Sequence, residues 1–130
     1  MKLTPVLYVE QIEKSLPFWV DRLGFRKTVE VPEGNRLGFV ILVRDAAEVM
    51  LQTWESLQKD APGAAPKERT IRGAALFIEV ENFAEIRRRL EGCEITLPER
   101  TTFYGMREIG VREPSGHGVV FAARIEKEGR

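Results

Sequence analysis

The amino-acid sequence predicts an α+β fold made of two βαβββ repeats whose curved sheets enclose a shared cavity. Three observations lead there. Each half of the chain reads as a strand, a helix and three further strands. Between the halves, ESLQKDAPGAAPKERT (55–70) contains two prolines, a glycine and scattered charges, with no apolar period, which marks a linker. The chain has 130 residues, 43% hydrophobic and 31% charged, enough to bury a core without disulfides or metals. The expected organisation is one domain over 1–130, with repeat one at about 1–55, a linker at 56–71 and repeat two at about 72–126.

The elements follow in order. LTPVLYV (3–9) is β-favouring, with Pro5 near its start, where a missing N–H is tolerated. Residues 11–23 place Ile12, Leu16, Trp19 and Leu23 at helical spacing, and Gly24 stands at the C-cap position. Pro17 either kinks this helix or marks a start after Ser15. Three strands are predicted at 25–31, 36–44 and 48–54, joined by turns at 32–35 and around Asp45-Ala46-Ala47.

The second half repeats this order. GAALFIEV (73–80) is a strand, and Asn82 caps a helix with Glu85 three residues on. Phe83, Ile86 and Leu90 form its apolar stripe. Strands follow at 94–102, 104–112 and 117–125, the last two joined by the turn EPSG (113–116). Laying Leu7-Tyr8-Val9-Glu10 over Ile78-Glu79-Val80-Glu81 aligns Ile12 with Phe83. The shared order of elements, more than identity, points to a duplication.

Strand alternation assigns the faces. Leu7 and Val9 are expected to pack on the helix, leaving Thr4, Val6 and Tyr8 for the concave side. Ala74, Leu76, Ile78 and Val80 should face the second helix, leaving Ala75, Phe77 and Glu79.

Composition narrows the function. Twenty basic residues balance twenty acidic ones, which argues against broad electrostatic capture of nucleic acid or an anionic membrane. The run Arg87-Arg88-Arg89 reads as a solvated helix face. Cys93 is the only cysteine and His117 the only histidine, so an internal disulfide and a multi-histidine metal site are both excluded within one chain. His117 is expected to be an exposed turn residue. The N-terminal apolar patch is too short for a secretory or membrane segment, and a cytoplasmic protein is expected.

Two stretches carry a family resemblance. VLYVEQIEKSLPFWVDRLGF (6–25) combines a strand, an acidic turn, a Ser-containing helix and a terminal LGF. YGMREIGVREPSGHGVVF (104–121) is similar to an ending of the form WG-R-E-x-x-x-x-D-P-x-G-N/H. Together they resemble the glyoxalase/bleomycin-resistance/extradiol-dioxygenase superfamily, the vicinal oxygen chelate proteins. The resemblance implies a cavity that in the family's enzymes holds a divalent metal on the first and fourth strands of each half. Those positions fall on Thr4, within Met50-Leu51-Gln52, on Ala75 and on Val120. Threonine, alanine and valine cannot supply the donors, so no metal and no cofactor are expected.

FWVDRLGF (18–25) and FYGMREIGVREPSGHGVVFAA (103–123) are most similar to the bleomycin-resistance type. That likeness implies a metal-free homodimer that exchanges segments and sequesters a drug against aromatic side chains. The candidate ligand-binding residues are Tyr8, Phe39, Gln52, Trp54, Phe77, Glu79, Tyr104 and Arg107. Trp54 and Tyr104, at strand ends, are expected at the pocket rim, and Arg107 is weighed as a pocket donor against simple pairing with its strand neighbours. No catalytic residue is expected. Two alternatives stand beside this reading. One is a lyase or isomerase with a divergent or metal-independent site, which would need Glu79 with Tyr8 or Tyr104 as acid and base. The other is a structural or regulatory dimer whose cavity is filled by Val6, Phe77, Val120 and Met50. The zero net charge departs from what a trap for a cationic drug favours.

Overall fold

The structure is a computed structural model that describes residues 1–66, 69 and 74–125. The chain forms two compact units, Met1–Thr70 and Ile71–Arg130. The end of the expected linker, at 67, 68 and 70–71, and the start of repeat two, at 72–73, lie outside the described residues.

In the first unit, β1 (Val6–Val9), β2 (Arg26–Glu33), β3 (Arg36–Arg44) and β4 (Ala47–Thr53) form one sheet in the order β1-β4-β3-β2. β1 runs parallel to β4, and the other pairs are antiparallel. The two hairpins are tight. Glu33 pairs with Arg36 across Gly34-Asn35, and Arg44 pairs with Ala47 across Asp45-Ala46. Gly34 has φ +65° and Asp45 φ +52°, the left-handed backbone such short loops require.

The expected helix over 11–23 is broken in two. A 3-10 turn covers Ile12–Lys14 and a π-helical segment covers Pro17–Arg22. Pro17, without an N–H, stands at the start of the second segment, so it opens a new helix rather than kinking one. The Leu23 N–H donates to the Phe18 carbonyl five residues back, at 3.2 Å, the wide spacing of a π-turn. This widening seats Trp19 between Phe18 and Phe25, both edge-on at about 5 Å. Ile12, Phe18, Trp19, Leu23 and Phe25 are buried with the alternate strand residues Leu7, Val9, Val40, Leu42, Val49 and Leu51. This is the core of the unit.

A further correction concerns the expected linker. α1 (Trp54–Asp60) begins directly after β4, so Trp54 opens a helix instead of ending a strand. The Thr53 hydroxyl accepts the Ser56 N–H at 3.0 Å and caps it. Trp54 and Leu57 are buried, and they anchor a helix of otherwise polar composition.

The second unit repeats the sheet. β5 (Ala75–Glu79), β6 (Glu94–Thr101), β7 (Met106–Arg112) and β8 (Gly118–Arg124) lie in the order β5-β8-β7-β6, with β5 parallel to β8. α2 (Phe83–Arg89) is capped by the Asn82 side chain, which accepts the Glu85 N–H at 3.1 Å. Phe83, Ile86 and Leu90 are buried with Val119, Phe121, Ile109 and Val111. At the β7–β8 turn, His117 is not an exposed residue. Its Nδ1 lies 2.8 Å from Glu113 Oε1, and that carboxylate also accepts the His117 backbone N–H. Glu113 is itself fully buried.

Candidate functional site

In each unit one sheet face is packed under helices, and the alternate side chains point the other way. In the first unit the register sets these into rows. Tyr8 pairs with Gln52, Gln52 with Phe39, and Phe39 with Val31. One pair further along, Val6, Met50, Ile41 and Val29 form a second row. The face is apolar and aromatic, its single amide being Gln52. Tyr8, Phe39, Ile41, Met50 and Gln52 are half-buried, and Val29 and Val31 are exposed.

Trp54 flanks this face but does not stand at a rim. It is only 7% exposed. Its ring lies 5.1 Å from Tyr8, and the Arg69 guanidinium stands 5.6 Å over it. Glu10 pairs with Arg69 at 3.1 Å. Gln52 is turned toward α1, where its Nε2 donates to Ser56 Oγ at 3.2 Å.

In the second unit, Phe77 pairs with Val120, Val120 with Gly110, and Gly110 with Leu97. The neighbouring row is Glu79, Ala122, Glu108 and Arg100. Phe77 is 57% exposed and Glu79 is exposed beside it. The main polar feature is Glu108, a charged side chain 1% exposed. Arg100 Nε and Nη2 both donate to its Oε1, at 3.1 and 3.0 Å. The Tyr104 hydroxyl donates to its Oε2 at 2.5 Å. The Glu108 carboxylate, as acceptor and as neighbouring charge, holds the Arg100 guanidinium above its ordinary pKa, with Tyr104 contributing less.

Arg107 lies on the opposite face from Glu108. It shares its face with its partner Ala123 and with Ile109, and its Nη1 is 3.8 Å from Glu99. The cation beside Tyr104 is Arg100, which sequence reasoning did not single out. β6 carries register breaks between Ile95 and Leu97 and between Leu97 and Arg100. No period of two could therefore assign its faces.

The residues do not fit a divalent metal. The Thr4 hydroxyl donates to Glu48 Oε1 at 2.7 Å, and Met50 and Gln52 of the expected stretch pair with Val6 and Tyr8. In the second unit the corresponding pair is Ala75 with Gly118. The next row offers Val6 with Met50 and Phe77 with Val120. Across both rows there is one carboxylate, and it is already engaged by Thr4 and by Lys2 Nζ at 3.0 Å. Among the described residues, no group of three His, Cys, Asp or Glu side chains could hold a metal ion.

Two mixed four-stranded sheets, each with the order first-fourth-third-second and a parallel first pair, define the two-module vicinal oxygen chelate fold. The chain belongs to the Glyoxalase/Bleomycin resistance protein/Dioxygenase superfamily, which residues 3–121 match. It is 28% identical over 131 aligned positions to a bleomycin resistance protein of Geobacillus stearothermophilus, covering 94% of this chain and 96% of that protein. A bleomycin resistance protein of Staphylococcus aureus matches to the same extent. Among solved structures, TioX from Micromonospora sp. ML1 superposes with a TM-score of 0.73 at 18% identity, covering 96% of this chain and 99% of that one. A lactoylglutathione lyase from Agrobacterium tumefaciens superposes at 0.72 with 16% identity, covering 95% and 92%. At such identities these two likenesses speak for the fold alone.

Proposed function

We propose that this protein binds a small molecule without metal and sequesters it, and that an antibiotic of the bleomycin class is the first ligand to test. The observation that carries the reading is the first sheet's apolar face, where Tyr8, Phe39, Met50 and Ile41 stand in two rows with a single amide among them. A surface of that kind takes up flat, partly apolar ligands by area burial and ring stacking. The bleomycin resistance relatives, matched over nearly their whole length, support the same class. Donor-poor metal positions support binding over metal-assisted turnover. The exposure of Glu79 and the commitment of the Tyr104 hydroxyl to Glu108 weigh against a Glu79–Tyr104 acid–base pair, and leave Glu79 with Tyr8 as the pair a metal-independent lyase or isomerase would use. The proposal includes a homodimer acting in the cytoplasm. Among the described residues no helix is long and apolar enough to cross a membrane.

Calorimetric titration with bleomycin tests the reading. Saturable micromolar binding is expected, weakened at least tenfold by Phe39→Ala and by Met50→Ala, with each variant folded by circular dichroism. Absence of heat at two salt concentrations would remove bleomycin as the ligand. Light scattering after size exclusion tests the dimer, which a mass of 14.8 kDa for the eluted species would refute.

A further inference from the structure

We infer that Glu108 is a positioning residue, holding Tyr104 and Arg100 on the second sheet as a paired recognition element for a flat ring that carries an oxygen acceptor. This rests on the binding reading above and assigns the second sheet's part in it.

Three observations support the inference. The first is the cost of Glu108. A carboxylate 1% exposed has given up its water, a desolvation cost its bonds must offset. An apolar residue in this sheet would avoid that cost. Glu108 is retained where its two oxygens are divided between two different partners, Oε1 to Arg100 and Oε2 to Tyr104.

The second is the state of those partners. Both are surface side chains held by a buried one. The Arg100 side chain is 52% exposed and Tyr104 is 48% exposed. Free side chains of this size lose conformational entropy when a ligand immobilises them. Here Glu108 has immobilised them beforehand. The third is what remains available. Arg100 spends Nε and one hydrogen of Nη2 on Glu108 and also interacts with the Tyr104 hydroxyl, so of its five N–H groups some remain for a ligand. The Tyr104 ring packs edge-on against Phe103 at 5.1 Å and stays about half exposed. A guanidinium edge beside a fixed phenol ring accepts a planar group by stacking and an adjoining carbonyl or phenolate oxygen by hydrogen bonding. The trio pairs one negative with one positive charge and has no net charge. Long-range attraction is therefore weak, and shape and orientation carry the selection.

The experiment separates the positioning role from the binding reading. Ligand-free protein is prepared in a Tyr8→Phe background, leaving Tyr104 as the only tyrosine, with and without Glu108→Gln. Ultraviolet resonance Raman of the tyrosine doublet reads whether the phenol donates to an anion. The Arg100 Nε–H resonance reads whether the guanidinium is held. Expected are a doublet ratio that moves away from strong donation in Glu108→Gln and an Nε–H resonance that broadens into solvent exchange. Both signals unchanged in folded Glu108→Gln would overturn the inference. If that variant fails to fold, a double-mutant cycle of Arg100→Gln and Tyr104→Phe takes its place. Coupling through Glu108 predicts non-additive unfolding equilibria, by about twofold or more, and additivity would overturn it. Bleomycin is then titrated into the parent protein and into Glu108→Gln, both with Tyr8 in place. A tenfold loss in Glu108→Gln supports the recognition role, and equal affinity refutes it. If bleomycin does not bind the parent protein, the binding reading fails while the two spectra still decide what Glu108 does.

Discussion

Thr4 and Glu48 are 44 positions apart in the chain and are joined by a 2.7 Å hydrogen bond from hydroxyl to carboxylate. The bond extends the parallel pairing of β1 with β4 and places the lone carboxylate of the metal-position rows in the hands of its neighbours. Zn²⁺, Ni²⁺ and Mn²⁺ are therefore expected to leave the Tm where it is in chelator-treated protein. A resident site saturated hundredfold above its Kd would instead add about 2.7 kcal/mol. A differential scan with and without each ion checks this.

The same carboxylate carries a pH dependence. The Thr4 hydrogen bond first, and Lys2 second, hold the Glu48 carboxyl below its ordinary 4.5. A group whose pKa is depressed on folding contributes stability above its unfolded pKa and loses it as pH falls through the folded one. Urea midpoints measured from pH 6 down to pH 3 should fall more steeply in the parent protein than in Glu48→Gln, with the difference opening below about pH 4.5. Parallel curves would show that the contact contributes nothing. Lys2 and Glu48 lie near the surface, so the effect should shrink in high salt.

Thr53→Ala should destabilise the first unit by about 1 kcal/mol, because the Ser56 N–H loses its acceptor at the start of α1. Thr53→Asn should recover most of that loss. Chemical denaturation followed by Trp fluorescence reads both, since Trp54 is the first residue of the helix.

Gly110→Ala tests the second sheet. A Cβ there would come within 2.7 Å of the Leu97 Cβ and 3.3 Å of the Leu97 backbone nitrogen. Strand β6 would have to move, at about 1–3 kcal/mol. Arg100 stands on β6, so the Arg100 Nε–H resonance should change together with the stability. A Gly110→Ala protein with unchanged Tm would mean that β6 yields freely.

Arg69→Ala should expose Trp54. The guanidinium over its ring contributes about 0.5–1 kcal/mol at a surface site, so global stability should change little. Acrylamide quenching should rise and the emission should shift to the red. Trp19 is fully buried and serves as the silent internal reference. Unaltered quenching would show that Arg69 does not cover the ring.

Much of the fold was legible because period-two alternation survives in β1 and β5. Leu7 and Val9 are buried while Tyr8 is not, and Leu76 and Ile78 are less exposed than Phe77 and Glu79. The Asn82 cap was legible for a similar reason, since cap and acceptor lie three residues apart. α1 was not, because a seven-residue helix with only Trp54 and Leu57 buried leaves no stripe to see. Thr53 ahead of Ser56 was the one available sign. The turn before His117 is legible in the sequence, but the burial of Glu113, which binds the His117 ring, is not. Within the candidate site, Tyr8 could be read from the alternation of its strand, whereas the sequence places Phe39 on the third strand without assigning its face. The Arg100–Glu108–Tyr104 cluster could not, since it depends on how the irregular register of β6 brings Arg100 opposite Glu108.

The parallel first pair in each sheet also dictates an order of assembly. β2, β3 and β4 are joined by two-residue turns and can zip together on the microsecond scale of hairpins. β1 has no such neighbour in sequence. Val6 must wait for Met50, and Ala75 for Gly118. During synthesis from the N-terminus, the first strand of each unit therefore emerges early and stays unpaired until the last strand of that unit is made. For that interval, Val6–Val9 is an apolar strand without its partner, and the speed of translation through β2 to β4 sets how long it remains so.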